Sequence, residues 1–462
     1  MMIDHGHIYY FESLLGKENV YSDKAHMIAY SYDATRAHFE PDAVLFPRDE
    51  NDVSEILKYC NKHGIVIVPR GAGSGFTGGA LPSKGGIVLA FEKHMNKILE
   101  IDMENMVAVV QPGVINMDLQ KAVEEVGLFY PPDPASQKYS TIGGNVSENA
   151  GGMRAAKYGI TKDYVMAIRA VLPNGDIIKA GKRTIKDVAG YNIAGILIAS
   201  EGTLAVTTEV TLKLLSKPKM SKTAMGVFSS VKDAMEAVYK TMASGVTPVA
   251  MEFLDNLTIR AVEETYHKGL PVEAGAILVT DVDGNLESDL DFQLSQVEKV
   301  FRENGCSEFR IAKTAEEADD IWFARRNASQ SITIYGSKKI NEDVTVPRSA
   351  LPELLEKFYA IAEKYDINIP CFGHTGDGNV HTNVMVDGSD PEQVKIGYEA
   401  IEEVFQATID LGGTLSGEHG IGLAKAPYMH MAFTDEEMNL FKAIKKAFDP
   451  NNILNPNKMG LD

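Results

Sequence analysis

The chain has 462 residues, 44% of them apolar, which is enough for two or three domains with hydrophobic cores of their own. Lysine and arginine total 45 against 64 aspartates and glutamates, and the formal net charge of -19 argues against a nucleic-acid binder or a chain held electrostatically on anionic lipid. The amino terminus has no basic stretch followed by an apolar core and a small-residue cleavage site. No run approaches the roughly eighteen apolar residues of a membrane span, so a cytoplasmic chain without a transmembrane segment is expected. Cys60, Cys306 and Cys371 are far apart, with no CxxC pair, which fits a reducing compartment and is too few thiolates for an iron-sulfur cluster of the chain's own.

Between Glu50 and Gly64, Val53, Ile56, Leu57 and Cys60 recur at helical spacing, and the glycine is expected to end the helix. A buried strand, IVIVP, follows; then comes RGAGSGFTGGALPSKGG, from Arg70 to Gly86, and a second apolar strand, GIVLAF. A glycine loop after a strand can cradle phosphate, because without Cβ atoms its N–H groups converge on the oxygens. Gly73 to Gly78 matches GxGxxG, and Glu92 stands near where a nicotinamide-binding Rossmann unit places its ribose acid. That fingerprint needs a helix opening from the loop, and Pro82, Gly85 and Gly86 leave no room for one. The expectation is a phosphate loop without the Rossmann helix, with a plain glycine turn between strands as the alternative.

Val107 opens another strand, VAVVQPG, and Asn116 to Gly127 reads as an amphipathic helix with Leu119, Val123 and Val126 inward. Pro131 to Gly159 is rich in glycine and proline and too long for an idle connection, so it reads as an ordered loop lining a ligand. In KDVAGYNIAGILIASEGTLAVTTEVTLKL, Ser200 to Thr203 separates two apolar segments, and a first domain is expected to end near Lys217 and Pro218. From Thr223 strands and helices alternate: AMGVF, a helix from Val231 to Ala243, a strand at Val249 to Leu254, AILVTDVD and a helix from Glu287 to Asn304. This predicts an α+β sheet with helices on one face. IWFARRNAS carries the single tryptophan, and TDEEMNLFKAIKKAF is a capped amphipathic helix ahead of NNILNPNK.

Helices from Leu351 to Tyr365 and Pro391 to Leu411 bracket CFGHTGDGNVHTN, in which His374 and His381 stand in a glycine-rich loop. The glycines make a helix improbable, so the backbone must fold back to bring both imidazoles to one point. GTLSGEHGIG adds Glu418 and His419 between Gly417 and Gly420. Two imidazoles and a carboxylate make a metal set of the catalytic kind, open to water or substrate and suited to zinc, manganese or iron. The alternative is a glycine turn whose histidines bond to backbone carbonyls.

Taken together, these stretches resemble the FAD-linked oxidases and dehydrogenases of the vanillyl-alcohol oxidase and p-cresol methylhydroxylase (PCMH) superfamily, over nearly the whole chain. PRGAGSGFTGGA is similar to that family's pyrophosphate loop, DPAS with STIGGNVSENAGG to its flavin-facing loop, and SEGTLAVTTEVTLKL to the close of its FAD domain. FGHTGDGNVH, GEHGIGLAK and FDPNNILNPNK resemble the carboxy-terminal signatures of its 2-hydroxy-acid branch, the D-lactate and D-2-hydroxyglutarate dehydrogenases and the FAD subunit of glycolate oxidase. The resemblance implies an α+β chain: a PCMH-type FAD-binding domain of two α+β subdomains over 1–217, and a FAD-linked oxidase C-terminal domain with an antiparallel sheet and a helical end over 218–462.

It further implies FAD held by Arg70, Gly71, Gly73, Ser74, Thr77, Gly78, Pro134, Ser136, Gly143, Gly144, Asn149, Gly151, Gly202, Val206 and Asn455. A divalent metal would be held by His374, His381 and Glu418, with His419 as base, Arg325 as a second catalytic group, and Arg325, Ser329 and Asn383 on the substrate. A lysine expected two residues before Asp343 is replaced by Asn341, which disfavours a dicarboxylate. No histidine or cysteine lies between His63 and His94, so the FAD is expected to be non-covalent. The implied activity is oxidation of a small 2-hydroxy acid, D-lactate or glycolate, to the 2-oxo acid. Electrons would go to an iron-sulfur protein, a second flavoprotein, an electron-transfer flavoprotein or quinone, and not to NAD. A homodimer is compatible, as is attachment to the inner face of a membrane through the partner. Two other readings are a metal-dependent hydrolase of a phosphorylated substrate and a non-catalytic flavin subunit of a larger oxidase.

Overall fold

Asp49 caps the first long helix, Glu50–His63, by accepting from the N–H groups of Asn51 and Asp52, and Gly64 ends it in the left-handed region. In the computed structural model, which describes residues 3–461, this helix presses Val53, Ile56, Leu57 and Cys60 into a core with Ile67, Ile87 and Leu89. Ala43–Leu45, Ile87–Ala90 and Ile67–Arg70 run parallel in that order, with Val20–Tyr21 antiparallel at the edge of Ala43–Leu45. A separate antiparallel sheet has the order Ile98–Asp102, Val107–Val110, Val206–Lys213, Val165–Val171, Ile177–Gly181. Helix Asn116–Glu125 buries Leu119 and Val123, but it stops before Val126, which is 36% exposed and not inward as expected.

The supposed long loop from Pro131 to Gly159 contains a helix, Ile142–Glu148. Thr141 caps it by accepting from Gly144 N–H, and Asn149 closes it in the left-handed region at φ 54°. Capping and a close approach to Pro112, whose carbonyl accepts from Gly143 N–H at 2.8 Å, outweigh the low helix propensity of the two glycines.

The compact units are not the sequential blocks 1–217 and 218–462. Residues Gly152–Gly159 go with Pro218–Gly417 in the second unit, and everything from Glu418 onward goes with the first. The reason is local bonding: Ile67 N–H donates to Ile453 O, Asn455 N–H donates to Ile67 O, and the buried Lys445 donates to Thr203 O.

The second unit is built on a seven-stranded antiparallel sheet in the order Cys306–Ile311, Met220–Phe228, Ala276–Gly284, Ala250–Asp255, Cys371–His374, Asn379–Val386, Lys338–Thr345. Its helices cover both faces, not one. Met225, Val227, Ile277 and Val279 pack with Ile321, Ala324 and Ala328 of helix Ala315–Ser331, whereas Phe228 meets Phe301 of helix Glu287–Glu303 at 5.3 Å between ring centroids. AMGVF and AILV are apolar at both parities, which is the mark of strands covered on both sides.

Candidate active site

In the first unit, the glycine loop after Ile67–Arg70 and the stretch from Pro134 to Gly151 face each other across a cavity whose empty volume, open solvent included, is about 1190 Å³. Its walls include Arg70, Gly71, Gly73, Ser74, Pro134, Ser136, Gly143, Gly144, Gly151 and Gly202. No helix opens from the glycine loop. Gly73 turns at φ +65°, and a Cβ there would stand 2.1 Å from Arg70 Nη2, so only glycine lets the loop fold over the guanidinium. Arg70 is buried, and its Nη1 has no hydrogen-bond partner among the described residues. A buried cationic donor beside a wall of glycine backbone fits a pyrophosphate.

Five residues expected at the cofactor, Thr77, Gly78, Asn149, Val206 and Asn455, are not among those that line this cavity. Val206 packs in the core cluster of the parallel strands, and the cavity takes its neighbours Ala205 and Thr207 instead. Gly78 and Asn149 are likewise absent from the lining; the Asn149 side chain accepts from Lys162 N–H. Asn455 ties Gly79 O to Glu201 O, and Thr77 holds the loop that carries His419. Thr77 donates through Oγ1 to His419 O, and its own carbonyl accepts from Leu423 and Ala424 N–H at 2.7 and 3.0 Å. Glu201, which the sequence did not mark, accepts from Ile421 N–H at 2.7 Å and Gly422 N–H at 2.8 Å. Burial pushes its carboxyl pKa up, against the pull of those two N–H groups. Glu418 and His419 both line the cavity, and the His419 ring lies 5.2 Å from that of Phe76.

In the second unit the expected histidine loop is a β-hairpin. His374 ends strand Cys371–His374, and His381 lies on the returning strand Asn379–Val386 opposite Phe372. The fold-back brings the two Nε2 atoms to 3.3 Å, both rings buried. That separation suits two imidazoles sharing one ion at about 2.0–2.1 Å from each nitrogen. Glu252, opposite His374 on strand Ala250–Asp255, takes His374 Nδ1 at 2.7 Å through Oε1 and accepts from Arg325 Nε at 2.5 Å through Oε2. Burial raises the Glu252 carboxyl pKa, but His374 and Arg325 overcome it and hold the group below its ordinary value. Arg325 stands over the Phe372 ring at 5.0 Å, whereas Arg326 faces solvent and pairs with Asp319. Gly417 N–H donates to Asp343, the strand partner of His381, which fixes the chain one residue before Glu418.

Asn383, expected to hold substrate, is fully buried with its amide engaged: Nδ2 donates to Pro370 O and His381 O, and Oδ1 accepts from Asn341. It steadies the strand of His381. Ser329 lies one helical turn from Arg325 and accepts from Lys339 Nζ at 2.7 Å. A lysine from two residues before Asn341 in the strand, Lys339, thus stands beside Ser329.

Residues 41–181 match the FAD binding domain family, and residues 217–459 match the family described as FAD linked oxidases, C-terminal domain. The chain is 44% identical over 445 residues to the glycolate oxidase subunit GlcD of Bacillus subtilis, covering 96% of this chain and 94% of the relative. It is 36% identical over 429 residues to a D-lactate dehydrogenase of Anaerostipes hadrus, covering 91% and 89%. Among solved structures, p-cresol methylhydroxylase with substrate bound superposes at a TM-score of 0.82 and 19% identity, over 98% of this chain and 96% of that one, which is a likeness of fold.

Proposed function

The chain belongs to the FAD-linked oxidases, and from that premise we propose that it oxidises a small 2-hydroxy acid to the 2-oxo acid with FAD and a divalent metal, passing the electrons to a partner protein. Membership of an oxidoreductase family sets aside the hydrolase reading. The observation that carries the proposal is the buried His374–His381 pair, braced through Glu252 to Arg325 on one face of the sheet. Glycolate and D-lactate, after which these relatives are named, are both small 2-hydroxy acids, and the relative from Bacillus subtilis is a subunit of its oxidase, which supports a partner.

When bound, FAD supplies the acceptor for the hydride leaving the substrate's C2. We take His374, His381 and Glu418 as the residues that would hold a divalent ion, which would supply a Lewis acid to acidify the substrate hydroxyl. His419 takes the hydroxyl proton, a task suited to an imidazole, whose ordinary pKa is about 6.5. Arg325 gives its Nε to Glu252 and turns its remaining N–H groups to the substrate carboxylate. Ser329, on the same helical face, sets the reach of the substrate's far end.

The test is anaerobic reduction of the yellow protein by glycolate, both lactates and a 2-hydroxydicarboxylic acid. Bleaching by D-lactate or glycolate is expected; a flavin that none of these acids reduces would leave only the non-catalytic subunit. Acid precipitation should release all the colour, since no histidine or cysteine lies between His63 and His94. Yellow left on the pellet would mean a covalent link.

A further inference from the structure

Resting on the reading above, we infer that Glu252 is a positioning residue which couples the metal ligand His374 to the substrate-binding Arg325. Two other buried carboxylates of the second unit take backbone N–H groups or hydroxyls: Asp255 accepts from Thr258 and Cys371 N–H, and Asp343 from Ser416 and Gly417. A third, Asp283, takes Lys157 and the Tyr158 hydroxyl. Glu252 instead divides its two oxygens between two functional side chains, with 0% of its own side chain exposed. An ionised carboxylate only accepts, so His374 Nδ1 must carry the hydrogen and Nε2 must present its lone pair. That lone pair points to the side where His381 Nε2 stands 3.3 Å away. A carboxylate behind a histidine in this way both sets the ring and raises its basicity toward an ion.

The same carboxylate fixes the plane of the Arg325 guanidinium by holding Nε, while Phe372 supports one face. Glu252 lies directly opposite His374 in the strand register, so neither residue can shift without breaking the ladder. A buried ion pair kept for stability alone could be replaced by apolar side chains at no loss. Here the pair lies beside Leu254, Val279 and Phe372 in the strand register, and its geometry serves two polar tasks at once.

Glu252→Gln keeps size and shape but gives one partner a donor where it needs an acceptor. The full-length FAD-containing protein, stripped by chelation, is titrated with Mn2+ alone, and the free ion is read by its magnetic resonance; kcat and KM are then measured at saturating Mn2+. The expected result is Mn2+ affinity lower by about 10–100-fold, KM for the 2-hydroxy acid raised, and FAD content unchanged. Unchanged Mn2+ affinity and KM in the folded variant, with a normal Mn2+ site in the parent, would overturn the coupling alone. A parent that binds no Mn2+ sensitive to His374→Ala would remove the metal reading and the coupling together. Should the glutamine variant fail to fold, Glu252→Asp keeps the charge and shortens the reach. It should then spare at most one of the two readouts, and sparing both would count against the inference.

Discussion

The backbone around His419 is held independently of its ring: Thr77 bonds the carbonyl of His419, and Glu201 bonds the N–H groups of Ile421 and Gly422. His419→Ala should therefore keep flavin and fold while flavin reduction slows by about 10² to 10⁴-fold, the usual worth of a general base. A near-normal stopped-flow rate would assign the proton to another group. Asp281 offers a test of burial. It accepts from Thr223 Oγ1 and Trp322 Nε1, and burial pushes its pKa up to about 6. Because the folded state holds this proton more tightly than the unfolded chain, the group's contribution is fully present below the unfolded pKa and lost as pH rises through about 6. Asp281→Asn keeps the acceptor and cannot ionise, so between about pH 4 and pH 7 its stability should gain on the parent by about 3 kcal/mol, a figure that follows from two pKa units. Denaturant unfolding at both pH values checks this, and a pH-independent difference would refute it. Residues inside glycine-marked motifs, such as His374 and His419, were legible in the sequence. Glu252 was not: a lone glutamate in MEFLD has no local signature, and its meaning comes from a partner 122 residues away.

Among elements, those with strong ends were readable. The helices Glu50–His63, Val231–Ala243 and Asp435–Phe448 each have an Asp, Ser or Thr cap and an apolar stripe, so pattern and capping agree. The histidine hairpin looked like a loop because its glycines mask the strands. Gly373 is forced by backbone crowding, since a Cβ there would lie 2.6 Å from Asn379 O. Helix Ile142–Glu148 was hidden for a similar reason, with its cap, Thr141, doing what its composition could not. The loop after His419 invites an element-scale test at Gly422, which turns at φ +52° with its Cβ position 2.2 Å from Thr77 O. Gly422→Ala should destabilise the first unit by about 1–3 kcal/mol and loosen FAD, because both the left-handed turn and the contact must yield. Thermal unfolding and flavin content report it, and an unchanged midpoint would mean that the loop relaxes freely.

For the whole molecule the question is where two electrons go. The glycine loop opens no Rossmann helix, and the three cysteines are buried and unpaired. Among the described residues no helix is long and apolar enough to cross a membrane. On the partner reading proposed above, protein reduced by substrate should reoxidise slowly with air or NAD and rapidly with a one-electron dye or a co-purifying protein. Efficient stopped-flow turnover with oxygen alone would make the chain a self-sufficient oxidase. The restart of strand and helix alternation near Thr223 was legible; the return of the chain was not, because NNILNPNK carries no periodicity to say which core Ile453 and Leu454 join.

That return sets an order of assembly on the ribosome. Ile453 and Leu454 fill the core around Ile67, Lys445 and Lys458 reach Thr203 and Leu81, and Glu418 and His419 belong to the cavity wall. All of them are translated after the whole of Pro218–Gly417, so the amino-terminal unit must wait, with its core unfilled, until the segment from Glu418 onward has been made. A nascent or truncated chain that ends at Lys217 lacks those contacts, and two residues of the flavin cavity wall, Glu418 and His419, come only with that later segment.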